Sequence, residues 1–90
     1  MNKDRFLSLV AEAPFDVLGV RLWKDRNYGL DVQTYSLWLV GEHSLDESLC
    51  MGRDSRSLCL KFRSLERANK EQEKLTRWLN ENKHKVDGVL

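Results

Sequence analysis

Apolar and polar positions change rhythm three times along this chain, and each rhythm predicts a different element. In the opening stretch MNKDRFLSLVAEAP, Phe6, Leu7, Leu9, Val10 and Ala13 recur at helical spacing. Asn2 or Asp4 can cap that helix, and Pro14 ends it, because a residue before proline is pushed out of helical dihedrals. So short a helix is held by packing rather than by its own propensity.

From Phe15 the period falls to two. FDVLGVRLWK (15–24) and LDVQTYSLWLVG (30–41) flank the turn-forming DRNYG, which predicts an antiparallel hairpin rich in aromatic and β-branched residues. Strand alternation puts Leu18, Val20 and Leu22 on one face, and Phe15, Val17, Arg21 and Trp23 on the other. The block Leu37-Trp38-Leu39-Val40 breaks this alternation by being apolar on both faces. Either helices cover both faces at that end, or part of the second face meets another molecule. The first is the simpler arrangement, and it makes Trp38 and Trp78 fillers of the sheet–helix core.

SLCMGRDSRSLCL (48–60) holds both cysteines of the chain inside a repeated Ser-Leu-Cys. Read as strands 47–51 and 56–63 about a GRDS turn, it forms a second hairpin with Leu58, Leu60 and Phe62 inward and Ser57, Cys59, Lys61 and Arg63 outward. Cys50 then lies opposite Cys59 or diagonal to it, according to which two residues make the loop. The rival reading takes Ser44-Leu45-Asp46-Glu47 as a capping box and makes 45–51 a short helix stopped by Gly52. Either way leucine goes inside, and the repeated tripeptide has a structural cause.

The last segment is helical from a Ser64 cap to about Asn82. Leu65, Ala68, Leu75 and Leu79 make its stripe, Gln72 interrupts it, Trp78 flanks it, and Glu66–Lys70 and Glu73–Arg77 are pairs in the favourable order. The expected fold is therefore α+β: a small antiparallel sheet of three to four strands in two hairpins, with a short N-terminal helix and a long C-terminal helix packed on it. Its expected core is Leu18, Val20, Leu22, Val32, Leu37, Leu39, Leu58, Leu60, Phe62, Leu75 and Leu79.

Ninety residues make one domain, with no room for a second core. No stretch approaches the roughly 18 apolar residues of a membrane span, and the broken apolar run at the start is too short for a secretory signal. A cytoplasmic protein is the expectation. The net charge of +1 hides an asymmetry, since residues 48–90 carry ten Lys/Arg against six Asp/Glu while the first half is acidic.

Catalytic chemistry finds little to stand on. Cys50, Cys59, His43 and His84 are scattered without the close spacing of a zinc site, so neither metal nor other cofactor is expected. Cys59 beside Lys61 and Arg63 could be an activated thiol, yet the only histidines lie in a loop and near a helix end. Asp46/Glu47 and Glu71/Glu73 lack the apolar context that separates carboxyl pKa values, and the glycines are single.

Binding is the stronger expectation. Trp23, Tyr28, Tyr35 and Trp38 all fall on the first hairpin, and aromatic residues anchor protein interfaces at low entropic cost. This predicts a non-enzymatic protein that docks on another protein, of the adaptor, immunity or inhibitor type found among mobile-element accessory proteins, or that pairs with itself as a homodimer. The alternative is a nucleic-acid binder using Arg53, Arg56, Lys61, Arg63 and Arg67. Against it stand a pI near 7.8 and the lack of aromatics interleaved with those basic residues along the sequence.

Overall fold

A computed structural model of the chain describes residues 1–26, 32–42 and 54–89, with side chains to residue 82. The element order is α1 (Lys3–Glu12), β1 (Gly19–Lys24), β2 (Tyr35–Val40), β3 (Ser55–Phe62) and α2 (Leu65–Val89), an α+β arrangement. The strands form one antiparallel sheet in the order β1-β2-β3. The expected first arm of a second hairpin, 47–51, lies outside the described residues, as do its helical rival, Cys50 and His43.

Asn2 is the cap of α1: its Oδ1 accepts from the Arg5 N–H at 2.8 Å, while Ala13, ahead of Pro14, is already extended. Ser64 caps α2 by accepting from the Arg67 N–H at 3.3 Å. This helix runs to Val89, well past the expected end at Asn82. Lysine-rich NKHK has ordinary helix propensity, and nothing before Gly88 breaks the pattern.

Both helices pack on the same side of the sheet. Phe6 of α1, Leu75 and Leu79 of α2, and Val20, Leu37, Leu39 and Leu58 of the strands form one buried cluster together with Val17. Leu22, Leu60, Phe62 and Trp78 close its margins, half-buried. Each fully buried leucine is worth about 1.5–3 kcal/mol relative to exposure. Gln72, the break in the apolar stripe, donates from Nε2 to the Val20 carbonyl of β1 at 2.9 Å and so ties α2 to the first strand.

Two expectations for β1 are corrected. Val17 is buried and Leu18 is exposed, the reverse of the predicted faces. The cause is a slip in the ladder: Gly19 is the register partner of Val40, yet the Leu18 N–H also donates to the Val40 carbonyl, at 2.9 Å. Such an extra residue inverts which side chains face inward. The second arm also begins at Tyr35 rather than Leu30, and Val32 is 45% exposed instead of core. Side chains capture the backbone there. Gln33 Nε2 donates to the carbonyls of Asp25 (2.6 Å) and Thr34 (2.9 Å), closing the ladder before it reaches Val32.

In β3 the expected alternation survives a bulge. The register moves by two residues between Ser36↔Lys61 and Trp38↔Ser57, so Leu58, Cys59 and Leu60 lie opposite Leu37. A shift of two keeps the faces, leaving Leu58 buried and Cys59 and Lys61 exposed. Cys59 absorbs the bend with φ of 58°, and its N–H is held by Ser57 Oγ at 3.1 Å. At the far end of β2, Gly41 lets the chain close up: a Cβ there would lie 3.0 Å from the Asp16 carbonyl and from the side chains of Phe15 and Asp54.

Candidate functional site: the sheet face away from the helices

The strand pairing sorts the candidate residues. Leu37 and Leu39 point to the helices, so Ser36, Trp38 and Val40 point to the other face. Their partners Trp23, Arg21 and Gly19 on β1, and Lys61, Ser57 and Ser55 on β3, share it. Neither helix covers this face. Among the described residues the expected cover by helices is thus found on one face of the Leu37–Val40 block only; Val40 (1% exposed) and Ser36 (5%) are buried on the other without α1 or α2, and Trp38 is not part of the sheet–helix core. Trp78 alone of the two fills that role, its ring 6.1 Å from Phe6 and tilted by 48°.

Trp23 and Trp38 thus stand on one surface, half-buried, in diagonal positions of adjacent strands. The Trp38 indole N–H donates to Ser36 Oγ at 3.2 Å, which in turn donates to Asp25 Oδ1 at 2.8 Å. Thr34 Oγ1 gives Asp25 Oδ2 a second hydrogen bond, also 2.8 Å. The network satisfies the polar edge of the indole internally and leaves its apolar ring as the part presented outward. Tyr35 points to the helix side, opposite Phe62 and Lys24, and is separated from the tryptophans by the sheet. Tyr28 lies outside the described residues.

The basic set is divided. Arg56 lies opposite Leu39 on the helix side and reaches Glu12 of α1 at 3.9 Å. Lys61 sits on the face away from the helices, Arg63 follows the strand, and Arg67 belongs to the first turn of α2. There Arg67, Lys70 and Lys74 surround an open hollow of about 300 Å³ with Phe62 and Glu71. Arg53 is outside the described residues. What the sequence did not reveal is that Arg21 and Lys61 flank Trp38 across the strands, through its pairing with Arg21 and the Ser36–Lys61 pair beside it. Aromatic and basic groups interleave in space where they do not along the chain; only strand register could have shown it.

Cys59 is exposed at the bulge. Among the described residues no three of His, Cys, Asp and Glu come together as metal ligands, and no helix is long and apolar enough to cross a membrane. Comparison with protein-family models, curated proteins and solved structures finds no match to this chain.

Proposed function

We propose that the chain is a small, non-enzymatic, cytoplasmic binding protein that docks on another protein through the sheet face turned away from its helices. One observation carries the reading: Trp23 and Trp38 share that face, and the Trp38 ring is held in place by the Ser36–Asp25 network. A pre-positioned aromatic side chain loses little freedom on binding, which is what makes tryptophan an interface anchor. The paired variant Trp23→Ala/Trp38→Ala tests it. With the circular dichroism spectrum unchanged, affinity capture from the native source should lose partners that the wild-type chain retains. Equal capture by both chains would refute the assignment.

Arg21 and Lys61 around Trp38 favour a second reading, in which the same face stacks on the bases of a single-stranded nucleic acid and pairs with its phosphates. Binding of a labelled oligonucleotide that weakens steeply with salt would support it. No binding at about 50 mM salt, where phosphate contacts are strong, removes it.

A further inference from the structure

Among the described residues β1 is an edge strand with one side unpaired, and its geometry there is self-complementary. In an antiparallel ladder, residues alternate between directing their backbone groups at the neighbouring strand and away from it. The Asp25 N–H donates to the Thr34 carbonyl at 3.0 Å, continuing the register of Trp23↔Ser36 and Arg21↔Trp38. Odd-numbered residues of β1 therefore bond to β2, and Val20, Leu22 and Lys24 aim their N–H and C=O groups at the open edge. Gln72 takes the Val20 carbonyl. Among the described residues nothing takes the outward groups of Leu22 and Lys24.

Edges of this kind invite another strand, and proteins blunt them with bulges and outward charge. The opposite edge, β3, is blunted: it carries the bulge at Cys59 and exposed Lys61. β1 has no proline over Gly19–Lys24; its charges are Arg21 and exposed Lys24, and its own extra residue, at Leu18–Gly19, lies at the end where Gln72 already takes the Val20 carbonyl, leaving Leu22–Lys24 regular.

We propose that the edge of β1 pairs antiparallel with β1 of a second copy, with Trp23 facing Trp23 of that copy across the two-fold axis. This register gives every outward amide and carbonyl of Leu22 and Lys24 a partner, Leu22 bonding Lys24 of the second copy and the reverse. It sets Arg21 opposite Asp25 of the second copy, so unlike charges meet. Centring the pair on Leu22 instead would require the Val20 carbonyl, which Gln72 already occupies. The Trp23-centred pairing stops where Gln72 stops it. Two three-stranded sheets then become one continuous sheet, and their tryptophan-bearing faces become a single surface. The interface is small, and the dimer is weak and reversible.

The test is sedimentation velocity on the full chain from about 10 µM to about 1 mM, the range suited to a small interface. Lys24 is exposed and its N–H faces the edge, so Lys24→Pro removes that donor with the sheet intact, proline being tolerated on edge strands. The wild type should pass from monomer to dimer across the range. Lys24→Pro should weaken association about tenfold or more, while Lys24→Ala, which keeps the amide, should stay within about threefold. A wild type that remains monomeric throughout, or a folded Lys24→Pro chain that associates as tightly as the wild type, overturns the proposal. Should Lys24→Pro fail to fold, amide exchange in the wild type decides: protection of Leu22 and Lys24 that rises with concentration supports pairing, and unchanged protection refutes it. Because Lys24→Pro leaves Trp38 and its network untouched, loss of self-association and loss of partner capture are separate results.

Discussion

Asp25 has a larger structural part than its place beside a turn suggests. Its carboxylate accepts two hydroxyls, from Thr34 and from Ser36, and its backbone N–H and C=O each engage the 33–34 segment. Ser36 is 5% exposed, so removing its acceptor strands a hydroxyl that water barely reaches. Hydrogen bonds to a charged acceptor are worth about 1.5–3 kcal/mol each, and a buried donor left unmet costs about as much as its desolvation. Asp25→Ala should therefore lower the unfolding free energy by about 2–3 kcal/mol, and Asp25→Asn, which keeps one acceptor, by roughly half as much. Urea denaturation with an unchanged slope is the measurement; a loss under about 0.5 kcal/mol for Asp25→Ala would show the network to be incidental. Cys59 makes the opposite prediction. Its φ of 58° is a conformation that costs a side-chain-bearing residue about 1–2 kcal/mol, while glycine's greater unfolded-state freedom returns part of the gain. Cys59→Gly should stabilise by up to about 1 kcal/mol, and Cys59→Val, branched at Cβ, should destabilise.

At the scale of elements, helical periodicity told nearly the whole truth about α2 and strand periodicity only half of it about the hairpin. Leu75 and Leu79 fall where the stripe put them, fully buried, and Ala68 with them. Leu65, equally in phase, is 47% exposed as the first residue of the helix. Replacement by alanine should thus cost about 2–5 kcal/mol at Leu75 or Leu79 and within about 0.5 kcal/mol at Leu65, measured by thermal or urea unfolding. Comparable losses at all three would contradict the packing. In the strands, alternation predicted Val20, Leu37, Leu39 and Leu58 inward correctly, yet it misplaced Val17, Leu18 and Val32. A period of two carries no information about a one-residue slip, and the slip at Leu18–Gly19 rests on a single hydrogen bond to Val40. The candidate site was legible as a list and not as a place. Trp23 and Trp38 were visible as aromatic residues of one hairpin, but their common face, and the exile of Tyr35 and Arg56 to the other, follow from register alone.

The described residues share one buried cluster closed by two helices on one side, and α1 is the lesser of them. Ten residues of helix do not persist alone in water, so α1 exists because of what it touches. Those contacts include Phe6, fully buried against Trp78 and the core, with Leu7, Leu9 and Val10 at its margin; the Lys3–Glu81 pair at 3.3 Å and the Arg56–Glu12 pair at 3.9 Å; and the Met1 carbonyl, which accepts from Lys74 Nζ at 3.4 Å while that ammonium lies 4.9 Å from the centre of the Trp78 ring. They are far from equal. Lys3 and Glu81 have side chains 43% and 50% exposed, and pairs in water contribute at most about 1 kcal/mol. Phe6→Ala empties the centre of the cluster, which costs about 3–5 kcal/mol. A domain of this length has roughly 5–13 kcal/mol of stability in all. Phe6→Ala should accordingly remove a large part of it, release α1, and speed amide exchange across residues 3–12 before the amides of β2 respond, because β2 keeps strands on both sides and α2 above it. Lys3→Ala should leave both exchange and unfolding within about 0.5 kcal/mol of the wild type. If instead the charge pair mattered as much as the phenyl ring, α1 would be an electrostatic attachment to the surface rather than the lid of the core.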